Sequence, residues 1–213
     1  MAIKPILFNT EMVRAILDGR KTCTRRICKD ANEYTVPDMD FYNADRRTYA
    51  VHNFADKEQM EQLSTVERTC PICPGDLLYV RETWCKGYLM NAKERYYYKA
   101  DDNDFLCTWH PSTNMPKQAA RIWLKVTDVR VERLQEITDE QAKREGIQYY
   151  ECPTGFTWKQ ETDMHNCYTT PIGAMQALWN STIKKSDLDC YGWGANPWVW
   201  VIEFERCEKP EGA

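Results

Sequence analysis

The chain has 213 residues, a formal net charge of −4 and a hydrophobic fraction of 43%. These values exclude global disorder and a protein that coats nucleic acid through bulk positive charge. The length fits one domain with long insertions or at most two small domains, and we treat residues 1–213 as a single domain.

The sequence also bears on location. Its apolar runs are shorter than the ~18–20 residues of a membrane span, and its start, Met-Ala-Ile-Lys-Pro, lacks the apolar region of a signal peptide. We therefore expect a cytoplasmic protein that has no membrane partner. The sequence leaves its oligomeric state open, with a monomer as one option. The 10 cysteines are then expected to be reduced thiols or metal ligands rather than disulfides.

The N-terminal elements are predicted to be a strand, a helix and a second strand. Ile3 to Asn9 is a short apolar run. Thr10 is a candidate N-cap, and apolar residues then recur at helical spacing until Gly19, which ends the helix. The extended stretch 18–26 follows and reads Asp-Gly-Arg-Lys-Thr-Cys-Thr-Arg-Arg.

The middle of the chain combines polar segments with clear strand signals. Residues 28–72 are polar, show little periodicity and are interpreted as an irregular insertion with a short helix near Ala55 to Leu63. Leu77 to Trp84 and Arg95 to Ala100 are predicted strands. Ala119 to Leu134 is the longest strand signal, and its apolar residues change parity near residues 127–128, which predicts a β-bulge or a bend.

The C-terminal third adds two helices and a closing strand. Thr138 to Gln141 is a capping-box pattern that opens a helix ending at Gly146. Residues 148–170 are interpreted as a second irregular insertion, Pro171 to Asn180 as a helix and Trp198 to Glu205 as a strand. The predicted fold is therefore α+β, a small mixed and mainly antiparallel β-barrel with two or three helices and two insertions.

The stretch 18–26 contains the side chains best suited to catalysis or ligand binding. A lysine amine near a threonine hydroxyl is a base beside a nucleophile, but a strand directs Lys21 and Thr24 to opposite faces unless it twists or bulges. The alternative is a solvated basic edge strand. The basic residues of this region are the candidate contact for nucleic acid, namely Arg14, Arg20, Lys21, Arg25, Arg26 and Lys29.

Three features together resemble the ASCH family. Residues 19–26 read Gly-x-Lys-x-x-Thr-x-Arg, Gly75-Asp76 precedes a strand, and residues 200–204 read Trp-Val-Ile-Glu-Phe. The resemblance implies a β-barrel related to the PUA domains that bind RNA. Because Thr24 stands where glutamate is commoner in that family, the motif is similar to that of the small bacterial 4-acetylcytidine amidohydrolases.

Longer strings are similar to an uncharacterised phage and prophage branch of the same family, which implies a phage-encoded protein in a bacterial host. With the motifs above they span most of the chain outside the two insertions. They are Trp109-x-Pro-Ser, Met115-Pro, Val-Arg-Val-Glu-Arg-Leu at 129–134 and Trp-x-x-Asn-Pro-Trp-Val-Trp at 193–200.

The resemblance implies an amidohydrolase that acts without a cofactor on an N-acylated cytidine nucleoside or a related modified base. Its catalytic residues fall on Lys21, Thr24 and Glu145. In one arrangement Lys21 deprotonates Thr24, and Glu145 must then stay apart from Lys21, since an ion pair would hold the lysine charged. In the other, Glu145 activates water, Lys21 stabilises the oxyanion and Thr24 positions the substrate. Sequence leaves both open.

Substrate-binding residues are also expected. Arg25 and Arg26 suit a phosphate or a base edge, and Trp84 and Trp109 are candidates to stack a base, with core packing as the alternative. Glu82 either lines the same cavity or is a strand residue paired with a neighbour. Besides the enzyme, a noncatalytic reader of modified RNA or DNA and a ribonuclease of the same family remain open.

Several cysteine and histidine residues are candidates for metal binding or thiol chemistry. Cys70-Pro-Ile-Cys73 is similar to half of a zinc site, but the chain has no second Cys-x-x-Cys, and two thiols beside a turn is the preferred interpretation. No histidine begins the His-x-Glu motif of a zinc deaminase. Cys23 is a reactive thiol if its basic neighbours lower its pKa, and otherwise a small packing residue. Further ligands considered for the zinc site are Cys28, Cys152, His165 and Cys167.

Overall fold

The computed structural model describes residues 1–29, 37–41, 48–54, 62–88, 94–101, 107–152, 155–159 and 168–212. None of the described helices is both long and apolar enough to cross a membrane. The helices are α1 (Thr10–Leu17), α2 (Asp139–Arg144), α3 (Pro171–Thr182) and α4 (Leu188–Tyr191). The strands are β1 (Ile3–Leu7), β2 (Cys23–Ile27), β3 (Pro37–Phe41), β4 (Thr48–Phe54), β5 (Gln62–Thr69), β6 (Leu77–Arg81), β7 (Trp84–Tyr88), β8 (Glu94–Tyr98), β9 (Trp123–Arg133), β10 (Gln148–Cys152), β11 (Gly155–Lys159) and β12 (Trp198–Cys207).

A five-stranded sheet with the order β1-β6-β9-β12-β2 forms the centre of the fold. Only the pair of β1 and β6 is parallel within it, and the other three pairs are antiparallel. The predicted α+β class and mainly antiparallel sheet are therefore confirmed. β1 and β2 are the two end strands, so the described pairing is open and the closed barrel stays a proposal.

The predicted irregularity in the longest strand is confirmed. Pairing between β9 and β12 passes from Glu203 opposite Asp128 to Phe204 opposite Val126, which leaves Thr127 without a partner across the ladder. One extra residue in a strand changes the parity of every side chain beyond it, as the apolar pattern indicated.

Both faces of β12 are buried, and this sets the layers of the fold. Trp200, Ile202 and Phe204 belong to a hydrophobic cluster that includes residues of α1, β1, β6 and β9. Val199 and Val201 belong to a second cluster with residues of α3. Helix α1 therefore packs on one face of the sheet, and α3 packs on the other.

The prediction of irregular structure in both insertions is wrong. Strands β3, β4 and β5 form an antiparallel sheet within residues 28–72, and β10 and β11 form a hairpin within 148–170. Backbone hydrogen bonds define these strands, and their polar sequences carry no clear apolar alternation that would have revealed them. Most of the helix expected at Ala55 to Leu63 lies outside the described residues, and Gln62 begins β5.

A disulfide joins Cys85 of the β7–β8 hairpin to Cys107. The backbone groups of Trp84 and His110 pair with each other, which brings the segment after β8 against β7. The expectation of reduced thiols is therefore wrong for these two cysteines, because tertiary pairing places residues 22 positions apart side by side.

Candidate active site

The C-terminal end of α2 delivers Glu145 to the start of β2. The predicted capping box is present, since the side chains of Thr138 and Gln141 each accept a hydrogen bond from the other's backbone N–H. The helix ends at Arg144 with Glu145 as its C-cap, and Gly146 follows with a φ of +101°, which favours glycine. A Cβ atom at Gly146 would lie 2.9 Å from Cβ of Ala15, so only glycine allows α2 to approach α1 this closely.

Hydrogen bonds fasten this helix end to the segment that precedes β2. The N–H of Thr22 donates to the carbonyl of Arg144 at 2.9 Å, and Arg20 donates from Nη1 to the carbonyl of Gly146 at 3.1 Å. The N–H of Lys21 donates to the carbonyl of Ala15 at 2.9 Å. Residues 20–22 and 144–146 therefore form one rigid junction.

Lys21 and Glu145 form a buried ion pair at this junction. The Nζ atom of Lys21 donates to Oε2 of Glu145 at 2.6 Å, to the carbonyl of Glu145 at 3.0 Å and to the carbonyl of Cys23 at 2.8 Å. The arrangement in which Lys21 is the base requires Glu145 to stay apart from Lys21, and the structure does not meet this requirement, because the junction described above brings the two side chains into contact. Three acceptors match the three hydrogens of an ammonium group.

Arg25 completes the charge balance around the carboxylate. Its Nη1 donates to Oε1 of Glu145 at 3.2 Å, and its Nη2 donates to Gln141 at 3.0 Å and to Glu132 at 3.4 Å. The Arg25 side chain is completely buried. Glu145 therefore has one cationic side chain at each of its two oxygens, and these contacts fix the position of its carboxyl group.

Thr24 and Arg26 form a second pair on the other face of β2. Nη1 of Arg26 donates to Oγ1 of Thr24 at 2.8 Å, and Nη2 donates to the carbonyl of Leu7 at 3.1 Å. The ring centroid of Phe8 lies 5.5 Å from Nζ of Lys21 and 5.4 Å from Cζ of Arg26. Burial lowers the pKa of the Arg26 guanidinium and Glu145 raises it in part, and the group remains charged.

A cavity of about 360 Å³ lies along the edge of β2. Its polar lining includes Thr24, Arg25, Arg26 and Glu145, and its volume is in the range of small-molecule sites. Four of the sequence-predicted site residues thus line one cavity. Lys21 is not among the lining residues, and it contacts the cavity only indirectly, through its hydrogen bond to Glu145.

Three other predicted site residues are not among the described residues that line this cavity. Glu82 is buried and accepts two hydrogen bonds from Arg121, at 2.9 and 3.0 Å. Trp84 packs against Tyr96, with ring centroids 5.6 Å apart. Trp109 is half-buried on the segment after the β7–β8 hairpin. The structure does not bring these residues to Glu145.

Cys23, the candidate reactive thiol, and Cys70 and Cys73, the candidate zinc ligands, are all buried. Burial and the nearby Glu145 raise the pKa of Cys23 to about 12, so its thiol stays protonated and the reactive-thiol hypothesis is wrong. Cys70 and Cys73 are buried in the first hydrophobic cluster. Among the described residues, no group of three or more His, Cys, Asp or Glu side chains is placed to hold a metal. The side chains of Cys152, His165 and Cys167 lie outside the described set.

Sequence reasoning missed the opposite wall of the cavity. Met12 of α1 and Met175, Leu178 and Trp179 of α3 line it. Their helical apolar spacing predicts helices with one apolar face, and such a face suits a core and a cavity wall equally well, so no sequence signal separates the two. Asn9 also lines the cavity, and it was assigned to the end of the first strand.

No protein-family model matches this chain, and neither a curated protein nor a solved structure matches it. The site therefore has to be interpreted from its own geometry.

Proposed function

We propose that this protein hydrolyses the amide bond of an N-acylated cytidine nucleoside or a related modified base, with Glu145 as the general base. The observation that supports this most is the carboxylate of Glu145, which is held by Lys21 and Arg25 and lines a cavity of about 360 Å³ together with Thr24. Amide hydrolysis needs a proton acceptor for the nucleophile and donors for the oxyanion, and this cavity offers both.

The hydrogen bonds of Lys21 favour water activated by Glu145 over a lysine base. Three acceptors within the protein already surround Nζ of Lys21, so the nitrogen has no free direction from which to accept a hydrogen bond from the Thr24 hydroxyl. Water attacks the carbonyl carbon and gives its proton to Glu145. When the C–N bond breaks, Glu145 returns that proton to the exocyclic nitrogen, and the products are a carboxylic acid and the free amine of the base.

Thr24 then serves as a hydrogen-bond donor. Its Oγ1 already accepts from Arg26, so its own hydrogen is available for the carbonyl oxygen of the substrate. Negative charge that develops on this oxygen is stabilised by the hydroxyl and by the guanidinium behind it. Lys21 fixes the position of Glu145 and is a positioning residue in this mechanism.

Acetate release from 4-acetylcytidine by the purified protein tests the proposal. Glu145→Gln should lower kcat/KM by about 10²–10⁴-fold, because proton transfer is lost while the side-chain shape is kept. Glu140→Gln is the matched control, since Glu140 is exposed on the same helix. Full turnover by Glu145→Gln would refute the mechanism. An acyl adduct on Thr24, detected by intact mass during turnover, would show that Thr24 is the nucleophile instead of water.

A second candidate function is a noncatalytic reader of modified RNA or DNA. The observation that favours it is the pair of buried ion pairs from Lys21 and Arg25 to Glu145, which is also the arrangement of a rigid binding site. A reader binds a modified oligonucleotide without forming product, and its affinity depends on salt. Arg26→Gln should then reduce the slope of log affinity against log salt if Arg26 contacts a phosphate.

We also propose that the central sheet is a barrel of the ASCH and PUA type. The hydrogen bond from Arg26 in β2 to the carbonyl of Leu7 in β1 supports this, because it brings the two end strands of the sheet within reach of one side chain. A crystal structure in which β1 and β2 are separated by more than the length of an arginine side chain would contradict the barrel.

A further inference from the structure

The cavity beside Glu145 has two walls of different chemistry. The polar wall comes from β2 and the end of α2 and includes Thr24 and Glu145. The facing wall comes from α1 and α3 and is mainly apolar, with Thr182 as a polar exception, and its apolar members belong to or pack against the second hydrophobic cluster. These apolar residues are Met12 of α1, Met175, Leu178 and Trp179 of α3, and Ile183 directly after α3.

Polar groups on the α3 side of this wall already have partners within the protein. Nε1 of Trp179 donates to the carbonyl of Tyr191 at 2.8 Å, and Oγ1 of Thr182 donates to the carbonyl of Trp179 at 2.7 Å. Thr182 Oγ1 can still accept one hydrogen bond, but Met12, Met175 and Leu178 offer a ribose hydroxyl no polar partner, so burying a ribose against this wall is unfavourable. The apolar part of a substrate gains free energy there by covering surface that water otherwise contacts.

We propose, on the basis of the proposed amidohydrolase activity, that the substrate carries an apolar acyl group larger than acetyl and that this group lies against α3. The scissile carbonyl lies beside Thr24 and Glu145 on the polar wall, so the acyl chain on the far side of that carbonyl points across the cavity. Met12 and Met175 are unbranched and adaptable, which suits a wall that accepts chains of different shape.

A series of cytidines with acetyl, butanoyl, hexanoyl and benzoyl groups on N4 tests this substrate class. Each methylene buried against the wall should raise kcat/KM about fourfold, so butanoyl should exceed acetyl by about tenfold or more. Met12→Gln should flatten this dependence, because a polar amide replaces part of the apolar wall. Ile172→Gln is the matched control: Ile172 is also partly buried against the second cluster, but it is not among the residues that line the cavity.

The possible failures are distinguishable. Turnover of 4-acetylcytidine with a flat or falling dependence on acyl length would overturn the acyl proposal and leave the amidohydrolase intact. If no member of the series is turned over, the amidohydrolase fails, and calorimetric affinities for the same compounds then decide the inference. Affinity that rises with acyl length supports the apolar subsite, and affinity that does not rise overturns it. An equal loss of the dependence in Ile172→Gln would also overturn the assignment of Met12.

Discussion

The ammonium group of Lys21 lies 2.6 Å from the carboxylate of Glu145, and the two side chains are 0% and 3% exposed. The residues are 124 positions apart in sequence. Their contact depends on the close approach that Gly146 permits between α2 and α1. The same contact fixes the candidate general base and holds the junction of α2 with β2.

Breaking this pair should be strongly destabilising. Lys21→Met should lower the free energy of unfolding by about 3–5 kcal/mol, because it leaves Glu145 partly uncompensated in the interior. In a double-mutant cycle with Glu145→Gln, the double variant should lose less than the sum of the two single losses. Urea denaturation of the wild type, the two single variants and the double variant measures these losses.

The exposed pair of Lys143 and Glu140 is the control, and its removal should change stability by less than about 1 kcal/mol. Additive losses at Lys21 and Glu145 would contradict the coupling.

Asn9 has two separable roles. Its Oδ1 accepts from the N–H of Met12 at 2.8 Å and caps α1, so its side-chain N–H groups remain for a ligand in the cavity. Asn9→Ala should lower stability by about 1 kcal/mol, whereas Asn9→Ser keeps the cap and should change stability by a few tenths. Both should raise KM about fivefold if the amide donates to the substrate. A normal KM in Asn9→Ser would limit Asn9 to capping.

The disulfide between Cys85 and Cys107 should contribute to stability. It closes a loop of 22 residues, and Cys107→Ser or a reducing agent should lower the free energy of unfolding by about 2–4 kcal/mol. Urea titrations with and without dithiothreitol measure this. Peptide mapping should recover a linked pair that contains both residues. Cys190→Ser, at an exposed free cysteine, serves as the control. Stability that is independent of the reductant would contradict the bond.

Asp76 should make stability depend on pH in the acid range. Burial raises the pKa of this carboxyl, but hydrogen bonds from Lys4 and the backbone N–H groups of Ala2 and Cys73 outweigh burial and hold it below its ordinary value of 3.8. As pH falls, the unfolded chain therefore takes up the proton first. The contribution of Asp76 is complete above about pH 5 and is lost as pH falls below about 4 towards the folded-state pKa.

Urea midpoints between pH 3 and 7 test the role of Asp76. Asp76→Asn should be less stable than the wild type at pH 7, and the difference should shrink as pH decreases. Asp189→Asn, at an exposed position, should leave the pH dependence unchanged. A difference that does not change with pH would contradict an ionised Asp76 as the source.

Local sequence determined the elements that carry the site. The apolar spacing of residues 12–17 and the capping box at Thr138 each specify a helix through contacts within a few residues. The N-cap of the first helix is Asn9 rather than Thr10, a difference of one residue, because both side chains can accept from the first turn and the sequence does not show which one does. The parity change at Thr127 predicted the bulge, because side chains alternate between the two faces of a strand and one extra residue shifts every later apolar residue to the other parity.

Only the tertiary structure decided which of these groups meet. The alternation of side chains along a strand assigns Lys21 and Thr24 to opposite faces but does not say what each face contacts. In the structure Lys21 contacts Glu145, whereas Thr24 lines the cavity with Arg26. The partner of a buried charge depends on packing between distant segments, and no local propensity encodes it. The apolar wall from α3 follows the same rule, since the periodicity of Met175 and Trp179 specifies a buried helix face but not whether that face meets a core or a cavity.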